Sequence, residues 1–225
     1  MNLKTLIQSE SLTAASLFLA VFAVYLFSPN ATPFDSRWTV HTALSLIHER
    51  NADLNEYLPE LERDHWYAIE CILPDGERVY PVRRREQCAE GRLYHFYPVA
   101  VPLLITPVVA PAEWFLKTYQ PFAAAMPPGP RRMLLSGDLA GSSMMVELII
   151  ASALTAAAAV VIFLFAATLS NRTAALAVAL VFAFATPAWS IGSRALWMHG
   201  FSMLLLPAGL WAVWRGRWAL AGALF

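Results

Sequence analysis

Leu148-Ile-Ile-Ala-Ser-Ala-Leu-Thr-Ala-Ala-Ala-Ala-Val-Val-Ile-Phe-Leu-Phe-Ala-Ala-Thr-Leu169 is a run without a single charge. A helix rises about 1.5 Å per residue, so roughly 20 residues cover the hydrocarbon of a bilayer, and this run predicts a membrane-spanning helix. Uncharged runs at 13–28, 174–191 and 201–214 come near that length and end in charged or interfacial residues, which predicts further spans. The charges lie elsewhere. Residues 29–97 hold 12 of the 16 acidic and 8 of the 16 basic residues, which predicts one large extramembrane loop near the start of the chain.

Composition agrees with that division. A chain 58% hydrophobic and 14% charged falls outside the ordinary soluble class, and its even charge balance carries no electrostatic footprint for nucleic acid. Lys4 precedes the first apolar run, but the run ends in Phe27-Ser28-Pro29-Asn30-Ala31 without a small-x-small cleavage site, so it reads as an uncleaved anchor. No repeat and no Gly/Ser-rich linker marks off an independent soluble domain. The expected organisation is an N-terminal transmembrane anchor (1–28), an outer, extracytoplasmic loop with juxtamembrane elements (29–146) and transmembrane helices (147–225). A new apolar run begins at Trp218 and is unfinished at Phe225, which suggests the N-terminal part of a longer protein. The fold class expected is an all-α polytopic membrane protein, a helical bundle whose large outer first loop holds amphipathic helices and a small β-hairpin.

Short basic connections set the sidedness. Lys4, Arg172 in Ser-Asn-Arg-Thr, and Arg215 with Arg217 in Trp-Arg-Gly-Arg-Trp are the natural cytoplasmic marks. They share a side only if residues 98–116 do not cross fully. That run carries Pro98, Pro102, Pro107 and Pro111, each lacking a backbone donor, and reads as a broken or re-entrant element on the outer face. Asp35, His65 and Arg194 are then outside. The competing layout makes 98–116 a true span and inverts everything after it.

Within the loop, Val40, Leu44 and Ile47, with Ala43 and Leu46, give residues 36–50 helical spacing and a wet opposite face, as in an amphipathic helix on the membrane surface. Trp-Tyr-Ala-Ile-Glu-Cys-Ile-Leu, then Pro-Asp-Gly-Glu, then Arg-Val-Tyr-Pro-Val reads as two strands around a turn. Cys71 and Cys88 are the only cysteines. In an oxidising compartment they suit a structural disulfide, whereas two isolated cysteines are too few ligands for a metal site. No metal is assigned to the site and the cofactor is unknown, a divalent metal staying open.

Asp35, in Pro-Phe-Asp-Ser-Arg-Trp after the first span, has two readings. A carboxylate half-desolvated at headgroup depth can act as a general base, while an Asp before a helix is also an ordinary N-cap. Arg37 and His41 stand four apart on one expected helix face, which suits substrate binding or a merely solvated surface. Tyr94, His95, Phe96 and Tyr97 form either part of a ligand pocket or an aromatic interfacial belt. Near the second outer return, Ser193, Arg194 and His199 cluster in sequence. A guanidinium fork suits phosphate oxygens, or snorkels to lipid phosphate. No P-loop, dinucleotide fingerprint, His-Glu-x-x-His or Gly-x-Ser-x-Gly is present.

In this order the chain resembles the GT-C class of integral-membrane glycosyltransferases, relatives of the protein O-mannosyltransferases and the lipid A aminoarabinose transferase. The residues carrying the resemblance are Asp35 after the first span, the amphipathic outer helix, Tyr94-His95-Phe96-Tyr97-Pro98 opening a proline-rich element, Ser170-Asn171-Arg172-Thr173, and Ser193-Arg194-Ala195-Leu196-Trp197. The resemblance implies transfer of a sugar from a polyprenyl-phosphate donor to an acceptor on the outer face of a bacterial inner membrane. It places Asp35 at the catalytic position, with Arg194 near the donor phosphate and both on one cavity under Tyr94 to Pro102. Arg37, His41, Tyr94, His95, Tyr97 and His199 join as substrate-binding candidates, and the expected partners are the lipid-linked donor and membrane lipid. The alternative is a non-catalytic membrane scaffold or lipid-linked-sugar transporter.

Overall fold

The computed structural model describes residues 3–29, 35–64, 66–118 and 120–224. His65, Phe225 and the 30–34 segment before Asp35 lie outside the described residues. Among the described residues the structure is mostly helical, 68%, with one small sheet. It divides into two compact units: residues 33–147, and residues 1–32 together with 148–225. Helix α1 (Leu3–Leu26) opens the chain.

In the 33–147 unit, helix α2 (Thr39–His48) is shorter than its periodicity suggests, and its polar face is not wet. Every residue from Thr39 to Ser45 is buried. Thr42 and Ser45 tolerate this because each finds a hydrogen-bond partner. Thr42 Oγ1 donates to the Trp38 carbonyl (2.9 Å), and Ser45 Oγ donates to the Asp53 carbonyl (2.6 Å) and meets the Glu56 carboxylate. A one-turn 3-10 helix at Asn55–Tyr57 and α3 (Leu58–Asp64) follow.

Three antiparallel strands come next: β1 (Ile69–Ile72), β2 (Arg78–Val79) and β3 (Arg92–His95), in the order β2-β1-β3. The expected hairpin is thus an edge strand, β2, and the central strand, β1, of a larger sheet. Its turn is tied by Leu73 N–H to the Glu77 carbonyl (2.9 Å), with Gly76 at φ +88, a value that suits glycine. β3 pairs along the other side of β1, setting Ile69 opposite His95 and Cys71 opposite Leu93. Sequence patterning missed this strand because its partner lies some twenty residues away. Cys71 and Cys88 are joined in a disulfide, Cα–Cα 5.7 Å. They sit in a core with Trp38, Leu54, Leu61, Ile69, Val82 and Leu93. Gly91 passes so close that a Cβ would strike both sulfurs and the Ile72 carbonyl.

Residues 100–118 require a correction. A broken or re-entrant element over 98–116 was the expectation, and the break is absent: α4 (Ala100–Thr118) is one helix running through Pro107 and Pro111. Pro102 lies in the first turn, where a missing N–H donor costs no intrahelical bond. The interior prolines are outweighed by tertiary packing: Val101, Ile105, Val109 and Glu113 form a buried stripe at four-residue spacing, and α4 packs on α2. Glu113 ties the pair, accepting from Lys117 Nζ (2.8 Å) and meeting His48 Nε2 (3.0 Å). Short helices α5 (Gln120–Ala124) and α6 (Pro130–Leu135) close the unit.

Helix α7 (Ser143–Leu169) starts at the end of that unit and continues into the other, where it is followed by α8 (Arg172–Ala185), α9 (Met198–Trp214) and α10 (Trp218–Leu224). Leu17, Val21 and Tyr25 of α1 pack on Ala156, Ala159 and Phe163 of α7 and on Ala175, Ala179 and Ala183 of α8. Small residues let these helices approach closely. Tyr25 Oη donates to the Ala183 carbonyl (2.7 Å), and Arg172 meets Thr13 Oγ1. Asn171 caps α8 by accepting from Ala174 N–H (3.0 Å). The 174–191 run is not one helix: α8 stops before Pro187, and Ala188–Gly192 is a π-helical turn with Ser193 N–H on the Ala188 carbonyl (2.9 Å). Between α9 and α10, Gly216 at φ +68 ends the helix, with Arg217 N–H on the Ala212 carbonyl (2.8 Å). Among the described residues, Ala100–Thr118 and Ser143–Leu169 are long and apolar enough to cross a bilayer. Glu10–Leu26, Arg172–Ala185 and Met198–Trp214 are apolar but shorter.

Candidate functional site

Asp35 lies in the turn before α2, and it does not cap that helix. The N-cap is Trp38, whose position has no side-chain cap bond. The carboxylate is used differently: Asp35 Oδ1 accepts the Tyr67 phenol O–H at 2.5 Å. Its backbone carbonyl lies 3.1 Å from His95 Nε2, so the imidazole with its proton on Nε2 braces the same residue from β3. Residues 35, 67 and 95, far apart in sequence, meet because β1 and β3 pair with Ile69 opposite His95, while Phe96 N–H bonds the Ala68 carbonyl (2.8 Å).

The electrostatics follow from burial and from Asp35. Burial pushes the His95 imidazole down to about 4, against the pull of the Asp35 carbonyl and charge. The hydrogen bond to Asp35 is the main reason the Tyr67 phenol is pushed up to about 12. Tyr97, which interacts with Tyr67, is raised by burial and by the Asp35 charge. At neutral pH the corner therefore presents a neutral imidazole and two neutral phenols around the Asp35 carboxyl group.

The turn itself is anchored from below. Ser36 is buried, and its hydroxyl donates to the carboxylate of Glu147, itself buried near the start of α7. Neither Tyr67 nor Glu147 was singled out from sequence. Glu147 had a signal, being a carboxylate directly before the uncharged 148–169 run. Tyr67 had none, because only sheet pairing brings it to Asp35.

The other candidates fall variously. Tyr97 belongs to the Asp35 corner. Tyr94 points to the opposite face of β3 from His95, and its backbone bridges Asp53. Arg37 stands in the turn beside Ser36. His41 is buried between the rings of Trp38 (4.8 Å) and Tyr57 (4.9 Å), closed off from solvent rather than on a wet face. In the 148–225 helices, Arg194 is 1% exposed. Its Nε donates to Ser193 Oγ (3.3 Å) and its Nη1 to the Ser28 carbonyl (3.4 Å), and its Nη2 has no hydrogen-bond partner among the described residues. His199, exposed in the first turn of α9, faces Trp197 at 5.9 Å. Both line an apolar cavity of about 340 Å³ with Pro187, Ile191 and Met203, and Ala195, next to Arg194 in the chain, lines it too. Among the described residues no three His, Cys, Asp or Glu side chains are grouped to hold a metal. No family model, curated protein or solved structure matches the chain.

Proposed function

We propose that the chain is a polytopic inner-membrane glycosyltransferase of GT-C type, moving a sugar from a polyprenyl-phosphate donor to an acceptor hydroxyl on the outer face. The observation that carries this reading is the Asp35 carboxylate, held by Tyr67 and braced by His95 instead of being spent on the α2 cap. Asp35 takes the acceptor's O–H proton as that oxygen bonds to the anomeric carbon. The anomeric C–O bond to phosphate breaks with inversion, and the electron pair leaves on the lipid phosphate. By the resemblance, Arg194 is the candidate for binding a lipid phosphate. A buried guanidinium with an unused N–H is costly unless an anion completes it. The adjoining apolar cavity suits the first isoprene units of the lipid. On this reading Lys4, Arg172, Arg215 and Arg217 are cytoplasmic.

The test uses the complete protein in proteoliposomes with a polyprenyl-phosphate-sugar. Asp35→Asn keeps size and can still accept from Tyr67, but it removes the base. Transfer should fall by about a hundred- to ten-thousandfold with thermal stability and abundance retained. Full transfer by the Asn variant would overturn Asp35 as the base, whereas no transfer by the natural protein would leave a scaffold or lipid-linked-sugar transporter.

A further inference from the structure

We infer that the acceptor is a carbohydrate, docked on an aromatic shelf beside Asp35. The inference rests on the glycosyltransferase reading for its chemistry but on separate residues for its geometry. A groove of about 650 Å³ is lined by Trp66, Tyr67 and Tyr80, with Glu62 and Arg83 among its polar edges. That size lies within the roughly 300–1,000 Å³ of ordinary ligand clefts. Tyr80 stacks on Phe96 with ring centroids 4.3 Å apart and planes 25° from parallel. The rings are held yet uncovered: Tyr67 is 46% exposed, Tyr80 52% and Phe96 47%. Val82 N–H on the Ile69 carbonyl (3.0 Å) and Phe96 N–H on the Ala68 carbonyl (2.8 Å) fix the backbone that carries them.

Three features select a sugar. Flat aromatic faces match the C–H face of a pyranose ring, whose outward hydroxyls need donors and acceptors at the rim. One acid and one base at that rim balance in charge, so the groove suits a neutral polyhydroxylated ligand better than a phosphate, which asks for clustered cations. Tyr67 joins the groove directly to the Asp35 carboxylate, so a hydroxyl of a bound sugar would lie next to the proposed base. An interfacial belt would set these rings among apolar neighbours. Here the rings share their groove with Glu62 and Arg83.

The complete protein in nanodiscs is probed by saturation-transfer NMR with mannotriose and cellotriose, with a Ser/Thr-rich hexapeptide as competitor. Ring C–H protons of a trisaccharide should take up saturation. Tyr80→Ala and Phe96→Ala should weaken binding by about five- to tenfold, whereas Tyr80→Phe, which keeps the ring face, should restore it. In transfer assays with a glycan acceptor the Ala variants should raise KM with kcat unchanged, the mark of lost uniform binding. Absence of saturation for both trisaccharides, unchanged binding in both Ala variants, or displacement by the hexapeptide would overturn the carbohydrate shelf. Asp35→Asn separates the two proposals. Sugar binding retained in that variant with transfer retained sinks only the catalytic reading, and transfer lost with no sugar bound by any form sinks only the shelf.

Discussion

The two compact units are held by different chemistry. Where α1, α7 and α8 meet, the buried positions are mostly alanine, with a tyrosine-to-carbonyl bond and the Arg172–Thr13 contact beside them. In the 33–147 unit the interior is mixed: Cys, Leu and Ile around a disulfide, with Ser36, His41, Ser45, Asp53, His95 and Glu147 buried beside them. A seam of small residues gains its stability from close backbone approach and many weak contacts. A small mixed core depends on a few specific ties, so single changes weigh more there. The comparison also locates chemistry, since the polar unit is where a carboxylate can be positioned by named partners.

The largest effect should come from removing the disulfide. Replacing Cys71 and Cys88 together with Ala frees the intervening loop and should lower the stability of the 33–147 unit by about 3 kcal/mol. A calorimetric transition that moves down for that unit, while the helix signal of the other keeps its own midpoint, would sharpen the contrast. Both shifting together would break it.

Next in size is an acid sensitivity confined to the same unit. His95 is held neutral in the fold to about pH 4, whereas an unfolded histidine protonates near 6.5. Between those values the unfolded chain binds more protons, so stability is complete above pH 6.5 and is lost as pH falls toward 4. The loss should reach about 2 to 3 kcal/mol. Urea midpoints measured across pH 4 to 7 should fall with acid in the natural protein and flatten in His95→Asn. An unchanged slope in the variant would assign the acid response elsewhere.

The smallest effect belongs to the alanine seam. Tyr25→Phe deletes the bond to the Ala183 carbonyl and keeps the ring, so it should cost about 0.5 to 1 kcal/mol. A loss as large as that of the disulfide variant would show that the helical unit also hangs on single polar ties.

Local signals were legible where local physics sufficed. Helical spacing marked Val40, Leu44 and Ile47, and the Pro-Asp-Gly-Glu turn marked the β1–β2 edge. Asp35 stood out as a carboxylate after the first apolar run, but whether it capped a helix could not be read from its neighbours. Strong local rules also misled: four prolines argued against a continuous α4, and the polar residues of α2 argued for a wet face. In both cases burial against partners distant in sequence overrode local preference.

The sequence by itself determined that this chain separates into charge-free apolar runs and one charged segment, because the cost of burying charge is set by residue type alone. Only the tertiary structure decided that β3 crosses to β1, bringing Tyr67 and His95 onto Asp35, and that Glu147 reaches Ser36. Those contacts join residues 32, 60 and 111 positions apart. Such pairs leave no periodic trace in a chain, since a hydrogen bond constrains distance in space and not spacing along the backbone.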